Sequence, residues 1–260
     1  MDRPKTLWKF RAVDDRLRTI LERQELWFAD PATFNDPYDC APVIDSSATL
    51  RQVRTHFITH ISTEKAHIPR AERVRFVNEL TNAHPFLRPG FSGSDAGDDF
   101  VRQTLDEVIS RTGVLSLGSD PRVVLMWSHY AASHTGVALA FNTNSPILAG
   151  AEPVRYERDR PVIRFFKEQD TMIAKALFTK ADYWAYENEW RVLSRNYIGH
   201  QLFGPRDLPT IVFGAKCSLD DKLLVQKWAR SGGLAPAFYQ ALFDPKTFNL
   251  RLKGVVPPFA

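Results

Sequence analysis

Apolar positions along this chain follow two rhythms, a short alternation near its start and through its second half, and a longer helical period between them. Residues 6–11 (TLWKFR) and 25–29 carry the β-branched and aromatic types that predict short strands. Between them Asp14 stands where a helix cap belongs, ahead of Leu17, Ile20 and Leu21 on one helical face. The segment DPATFNDPYD then interrupts regular structure, because Asp30-Pro31 and Asp36-Pro37 favour Asx turns. From residue 48 to 111 the spacing becomes helical: Val53, Phe57 and Ile61, then Val74, Val77 and Leu80, then Val101, Leu105 and Val108. These runs predict three helices, interrupted by the loop HPFLRPGFSGSDAGDD at residues 84–99.

The second half returns to strands. VLSL (114–117), GVALAFN (136–142), PVRYE (153–157), EWRVLSR (189–195) and TIVFGAK (210–216) each suit a pleated, half-buried surface. Ser119-Asp120-Pro121 reads as a helix start leading through RVVLMWSHYAASH to Gly136, and KEQDTMIAKALF reads as another helix. Ser218 with Asp221 predicts the capped start of a helix that ends at Gly232-Gly233, and PAFYQALF and FNLRLKGV close the chain as strands. The sum predicts an α+β fold: a mixed, mostly antiparallel central sheet of roughly six to eight strands, in one domain over 1–260. A helical insert at 47–112 separates the early from the middle strands.

Composition narrows the class. Hydrophobic residues make up 44% of the 260, enough for a buried core. Lys plus Arg is 34 against 30 Asp plus Glu, so the net charge of +4 is too dilute to argue for nucleic acid by itself. Cys40 and Cys217 do not amount to a disulfide framework, which points to a reducing compartment. The first residues lack a signal-peptide pattern and no apolar run reaches membrane length, so the expectation is a soluble, cytoplasmic protein without a membrane partner.

Candidate chemistry concentrates in ADYWAYENEWRVLSR, residues 181–195. Glu187 and Glu189 are one residue apart at the entrance of a predicted strand, where period-two alternation would put both carboxylates on one face. Tyr183, Trp184, Tyr186 and Trp190 surround them, a setting suited to a small ligand. If the pair is buried together, repulsion raises at least one pKa; the plainer alternative is a solvated strand start balanced by Arg191 or a lysine. Arg11, among Leu7, Trp8 and Phe10, presents a fork for phosphate or carboxylate, or is an ordinary surface arginine. In MWSHYAASHTG, His129 and Tyr130 suit stacking on a base or nicotinamide ring, although a Met-aromatic stripe is more often core. His129 and His134 are five apart, without the spacing of a helical zinc pair; His56 and His60 have it, but lack an acidic partner and read as surface residues. Asn35, Asp36 and Asp39 offer oxygen ligands, yet turn formation explains them, and no metal site is assigned. Phosphate-loop, dinucleotide-fingerprint and nucleophile-elbow motifs do not occur.

The blocks LWKFR, LWFADPATFNDPYD, LSLGSDPRVVLMWSHYAASHTGVALAF, VRY, YENEWR and IVFGAKCS resemble, in that order, an uncharacterised bacterial domain family marked by FNDP, MWxHYxxxHxG and YExEWR. The resemblance spans nearly the whole chain outside 47–110. The order of an Arg on the first strand, an aromatic in the middle and a Glu-x-Glu opening a late strand also resembles ADP-ribosyltransferases, including the DNA-modifying toxins. That resemblance implies an NAD-dependent ADP-ribosyltransferase-like enzyme, a toxin or phage-defence effector, with NAD as substrate and a protein, DNA or RNA acceptor. It implies that Arg11 holds the diphosphate or ribose and that Tyr130 packs on nicotinamide. It implies too that Glu189 stabilises the oxocarbenium-like transition state and that Glu187 orients or deprotonates the acceptor. No Ser-Thr-Ser motif follows the second strand, where the chain has Ala29-Asp30-Pro31. Two other classes stand beside it: a noncatalytic nucleotide- or nucleic-acid-binding module, and a metal-dependent nuclease using Asp36, Asp39 and Glu189.

Overall fold

The computed structural model describes residues 3–64, 67–83, 85–87 and 90–257, without the side chains of 60–62, 64, 80–83, 87, 169 and 170. Its elements run in the order β1 (Thr6–Arg11), α1 (Asp15–Arg23), β2 (Glu25–Phe28), β3 (Val43–Asp45), α2 (Leu50–Glu64), α3 (Arg70–Ala83), α4 (Asp95–Ile109), β4 (Gly113–Gly118), α5 (Val124–Tyr130) and β5 (Val137–Asn142). Then follow β6 (Glu152–Pro153), β7 (Arg155–Glu157), β8 (Val162–Arg164), α6 (Gln169–Leu177), β9 (Thr179–Ala181), β10 (Glu189–Ser194), β11 (Gly199–Leu202), β12 (Thr210–Phe213), α7 (Leu219–Ser231), β13 (Ala237–Phe243) and β14 (Leu250–Val255). The chain divides into two compact units, one of residues 1–34, 111–156 and 181–260 and one of residues 35–110 and 157–180.

The first unit is built on an eight-stranded sheet in the order β14-β13-β12-β5-β1-β4-β10-β6, antiparallel except for the β12–β13 pair. A parallel pair needs a crossover, and α7 supplies it. The molecule is thus α+β with a mostly antiparallel sheet, as the two rhythms of the sequence predict. On one face Leu7, Leu115, Leu117, Leu139, Phe141, Val192 and Phe213 pack with Leu17, Ile20 and Leu21 of α1 and Val225 and Trp228 of α7. Asp14 caps α1, its carboxylate accepting from the Leu17 N–H at 2.9 Å. Each of α1's three apolar side chains, nearly or fully enclosed, contributes about 1.5–3 kcal/mol relative to exposure. On the other face α5 lies over Phe10, Ala138, Val212 and Ala241. The alanines leave room for Trp127, which meets Phe10 edge-on at 5.2 Å and donates from its indole to the Pro121 carbonyl at 2.7 Å.

The helix expected from Ser119 to His134 shrinks to α5. Asp120 spends its carboxylate on the Arg122 N–H in an Asx turn, which delays the start. After α5 the residues Ala132, Ser133 and His134 all take the left-handed conformation (φ 45°, 54° and 74°), which ends it. Glycine is required where this turn returns to the sheet: a Cβ on Gly136 would lie 2.1 Å from the Arg11 carbonyl oxygen.

The second unit carries the three helices of the insert with the parallel pair β3–β8 and α6. α4 buries Gly97, Val101, Leu105 and Ile109, four apart, so Ile109 takes the core position expected for Val108, which is exposed. Val74 is likewise exposed while Val53 and Val77 are buried; Ile61 and Leu80 lie outside the described side chains. The loop expected to run to residue 99 ends earlier, because the Ser94 hydroxyl accepts from the Gly97 N–H and starts α4 at Asp95.

Candidate functional site

The carboxylate pair does not stand on one strand. Residues Asp182–Glu187 wind into a 3₁₀ helix, and Asn188, left-handed at φ 43° and ψ 49°, swings the chain into β10 at Glu189. Period-two alternation therefore never applies between the two glutamates, and the expectation of a shared strand face is corrected. Both carboxylates are buried: Glu187 is 3% and Glu189 5% exposed. Gly118 of β4, opposite Glu189, lets this turn approach, since a Cβ there would come within 3.3 Å of the Glu187 carbonyl.

Each carboxylate is held differently. Tyr130, at the end of α5, donates its hydroxyl proton to Glu187 Oε1 at 2.6 Å. Burial first, then the hydrogen bond and charge of Glu187, raise the Tyr130 phenol well above its ordinary range, so at neutral pH it is a protonated donor. Glu189 takes a two-point contact from Arg191, Nε to Oε1 at 2.8 Å and an Nη to Oε2 at 3.1 Å. Arg191 is wholly buried and stacks over the Phe34 ring at 5.3 Å. The Glu189 backbone N–H donates to the Tyr156 hydroxyl at 2.8 Å.

Aromatic rings gather on the outer side. His129, exposed, lies 6.1 Å from the Tyr130 ring, 6.3 Å from Trp184 and 6.2 Å from Tyr186. The helix thus sets His129 and Tyr130 against the 3₁₀ turn that ends in Glu187. Lys9 enters from β1. β1 meets β4 in register at Trp8 opposite Gly118, and Lys9 reaches across to donate from Nζ to the Ser116 carbonyl at 2.7 Å. Burial, and next the charge of Arg11, push this amine down to about 7 against the pull of Glu189 and Glu187. The charges of both glutamates bear on Lys9 and on Tyr130 alike.

Arg11 stands at the end of β1, half-buried, opposite Val137. Burial first lowers its pKa, with Asp14 raising and Arg16 lowering it in turn, and its Nε is buried without a hydrogen-bond partner among the described residues. Among the described residues no bond joins it to either glutamate; Lys9 lies two residues away on the same strand face. Asp36 and Asp39 belong to the second unit, where Asp36 accepts from the Tyr38 N–H at 2.9 Å and Asp39 lies 3.7 Å from Lys180. Among the described residues no group of three or more His, Cys, Asp or Glu is placed to hold a metal ion. His56 is in the second unit and the His60 side chain lies outside the described residues.

Arg191 was legible as the partner of Glu189, since residues two apart on a strand share a face. Lys9 was missed; its only sequence signal is a lysine set among apolar residues in a strand. His134 was also passed over: it is buried, stacked on Trp127 at 6.4 Å, with Nε2 3.3 Å from Ser128 Oγ.

Residues 126–192 match the family described as a protein of unknown function (DUF2971). The DUF2971 match takes in His129, Tyr130, both glutamates and Arg191, and leaves Lys9 and Arg11 outside. No curated protein and no solved structure matches the chain. No helix among the described residues is long and apolar enough to cross a membrane.

Proposed function

We propose that the first unit is an ADP-ribosyltransferase-like enzyme that binds NAD and acts on its nicotinamide–ribose bond. The observation that carries this reading is buried Glu187 held by Tyr130, whose neighbour His129 meets the rings of Tyr130, Trp184 and Tyr186, with buried Glu189 two residues on. Three features support this reading. Arg11 offers a guanidinium whose Nε has no partner, suited to the diphosphate, and exposed His129 with the partly exposed Trp184 and Tyr186 offers ring faces for a planar heterocycle. Glu189, immobilised by Arg191, supplies negative charge without reorganising, the property a carboxylate needs to stabilise positive charge at a ribose carbon. Glu187, with Tyr130 donating to one oxygen, orients the acceptor and takes its proton as the acceptor bonds to the ribose carbon and nicotinamide departs with the bonding electron pair.

Purified protein incubated with adenylate-labelled NAD and bacterial lysate is expected to transfer label to protein, DNA or RNA, and Glu187→Gln to lose the transfer. Absence of both NAD binding and label transfer in a folded sample would remove the enzyme reading. A second reading, a noncatalytic nucleotide- or nucleic-acid-binding module, is favoured by the commitment of Glu189 to Arg191 and by the exposed Tyr183 ring beside Trp184. It predicts affinity for single-stranded nucleic acid that falls steeply with salt, and salt-independent binding counts against it.

A further inference from the structure

A cavity of about 190 Å³ opens in the first unit where α7 hands the chain to β13. α7 ends at Ser231; Gly233, left-handed at φ 72°, turns the chain, and the Leu234 N–H donates back to the Ala229 carbonyl at 2.9 Å. Pro236 then leads into β13, and β14 sets Val255 opposite Phe238, which brings Pro257 to the same place. Ala229, Leu234, Ala235, Pro236, Phe238 and Pro257 form the apolar lining, and the short side chains of the two alanines leave the space unfilled. Two polar side chains of α7 complete it. Gln226 and Arg230 stand four apart, on one face of the helix. Gln226 is only 6% exposed and its amide has no hydrogen-bond partner among the described residues, whereas Gln240, also buried, donates to the Gly214 carbonyl at 2.7 Å. A buried amide without partners is costly, so one that lines a cavity points to a ligand that bonds it. Arg230 is exposed, and its guanidinium has no hydrogen bond or ion pair among the described residues. The carbonyls of Trp228, Ala229 and Arg230 already accept from the N–H groups of Gly232, Leu234 and Gly233, which leaves the two side chains as the polar groups on offer.

We propose that this cavity binds a small aromatic monocarboxylate, its ring among the apolar residues and its carboxylate between the Gln226 amide and the Arg230 guanidinium. An apolar cavity of about 150 Å³ takes one benzene ring. The 190 Å³ here suits a ring with one carboxylate and is too small for NAD. An amide N–H and a guanidinium both donate to a carboxylate, and the positive charge of Arg230 disfavours an ammonium ligand. The site is separate from the NAD reading: a silent NAD titration leaves it intact, and an empty cavity leaves the NAD reading intact.

The test is saturation-transfer NMR on the full chain, with benzoate as the acid and benzyl alcohol as the uncharged ring, at the millimolar concentrations that ligands of this size require. Benzoate is expected to bind with a dissociation constant on the order of 1 mM, and benzyl alcohol at least about fivefold more weakly. Arg230→Gln should remove most of that difference by weakening benzoate alone, and Gln226→Leu should weaken benzoate as well. Ala235→Trp, at an exposed position of the lining, should abolish binding of both probes by filling the space. No saturation of benzoate by folded wild type overturns the site, and equal affinity for the two probes overturns the acid preference. Benzoate binding that Ala235→Trp and Arg230→Gln leave unchanged lies elsewhere on the molecule and also overturns the proposal. If Gln226→Leu does not fold, these two exposed variants decide.

Discussion

Arg191 is fully enclosed, and its guanidinium has Glu189 on its edge and Phe34 on its face. Removing one partner of a buried ion pair leaves the other charge desolvated and uncompensated, which costs about 3–5 kcal/mol. Arg191→Met should lower stability by that amount, read from the urea midpoint, and Glu189→Gln by less because the amide keeps a hydrogen-bond acceptor. Lys9 makes a second residue-scale prediction. Its folded pKa lies below the ordinary lysine value, so between about 7 and 10 the unfolded chain binds more protons than the folded one. The Lys9 contribution to stability therefore improves as pH rises through that window, and its penalty is complete below 7. Relative to Lys9→Met, wild type should gain stability from pH 7 to pH 10; a flat difference contradicts the assignment. The residues of the site were legible to unequal degrees. Glu187, Glu189, Tyr130 and His129 stood out by type and spacing, whereas Lys9 did not, because what lowers its charge is burial supplied by β4 and β5, far away in sequence.

At the scale of elements, the left-handed run Ala132–His134 sets where α5 stops and how the chain re-enters the sheet. Each L-residue in that conformation costs roughly 1–2 kcal/mol, and glycine is free of that cost but loses more entropy on folding. Ser133→Gly should accordingly raise stability by about 0.5–1 kcal/mol in thermal denaturation. Gly136→Ala should do the reverse, by about 3 kcal/mol or more, since its Cβ would collide with the Arg11 carbonyl and displace the end of β1. The sequence marked this glycine only as a helix stop; its role follows from contact with β1, a strand more than 120 positions earlier. The same limit explains the 3₁₀ turn before β10. Alternation rules assume continuous extended backbone, and one left-handed asparagine at 188 voids them. Elements with local signals fared better: Asp14 and Ser218 cap α1 and α7 as their sequences indicate.

At the scale of the whole molecule, the alternation and helical periods were enough to read the class and most of the sheet strands, because those patterns record one-sided burial. The pair β3–β8 and the strand β11 that pairs with β2 escaped, being three or four residues long and held by pairing across large separations in sequence. The eight-stranded sheet places Trp8, Gly118 and Glu189 in one row across three neighbouring strands, and the 3₁₀ turn and α5 bring Glu187 and Tyr130 to the end of that row. That convergence is what the functional account rests on. Its most direct test is calorimetric titration of NAD into wild type and Glu189→Gln, with released nicotinamide measured in parallel. The account predicts binding by both proteins and nicotinamide release by the wild type alone. No binding by a folded wild type, or equal release from both, would contradict it.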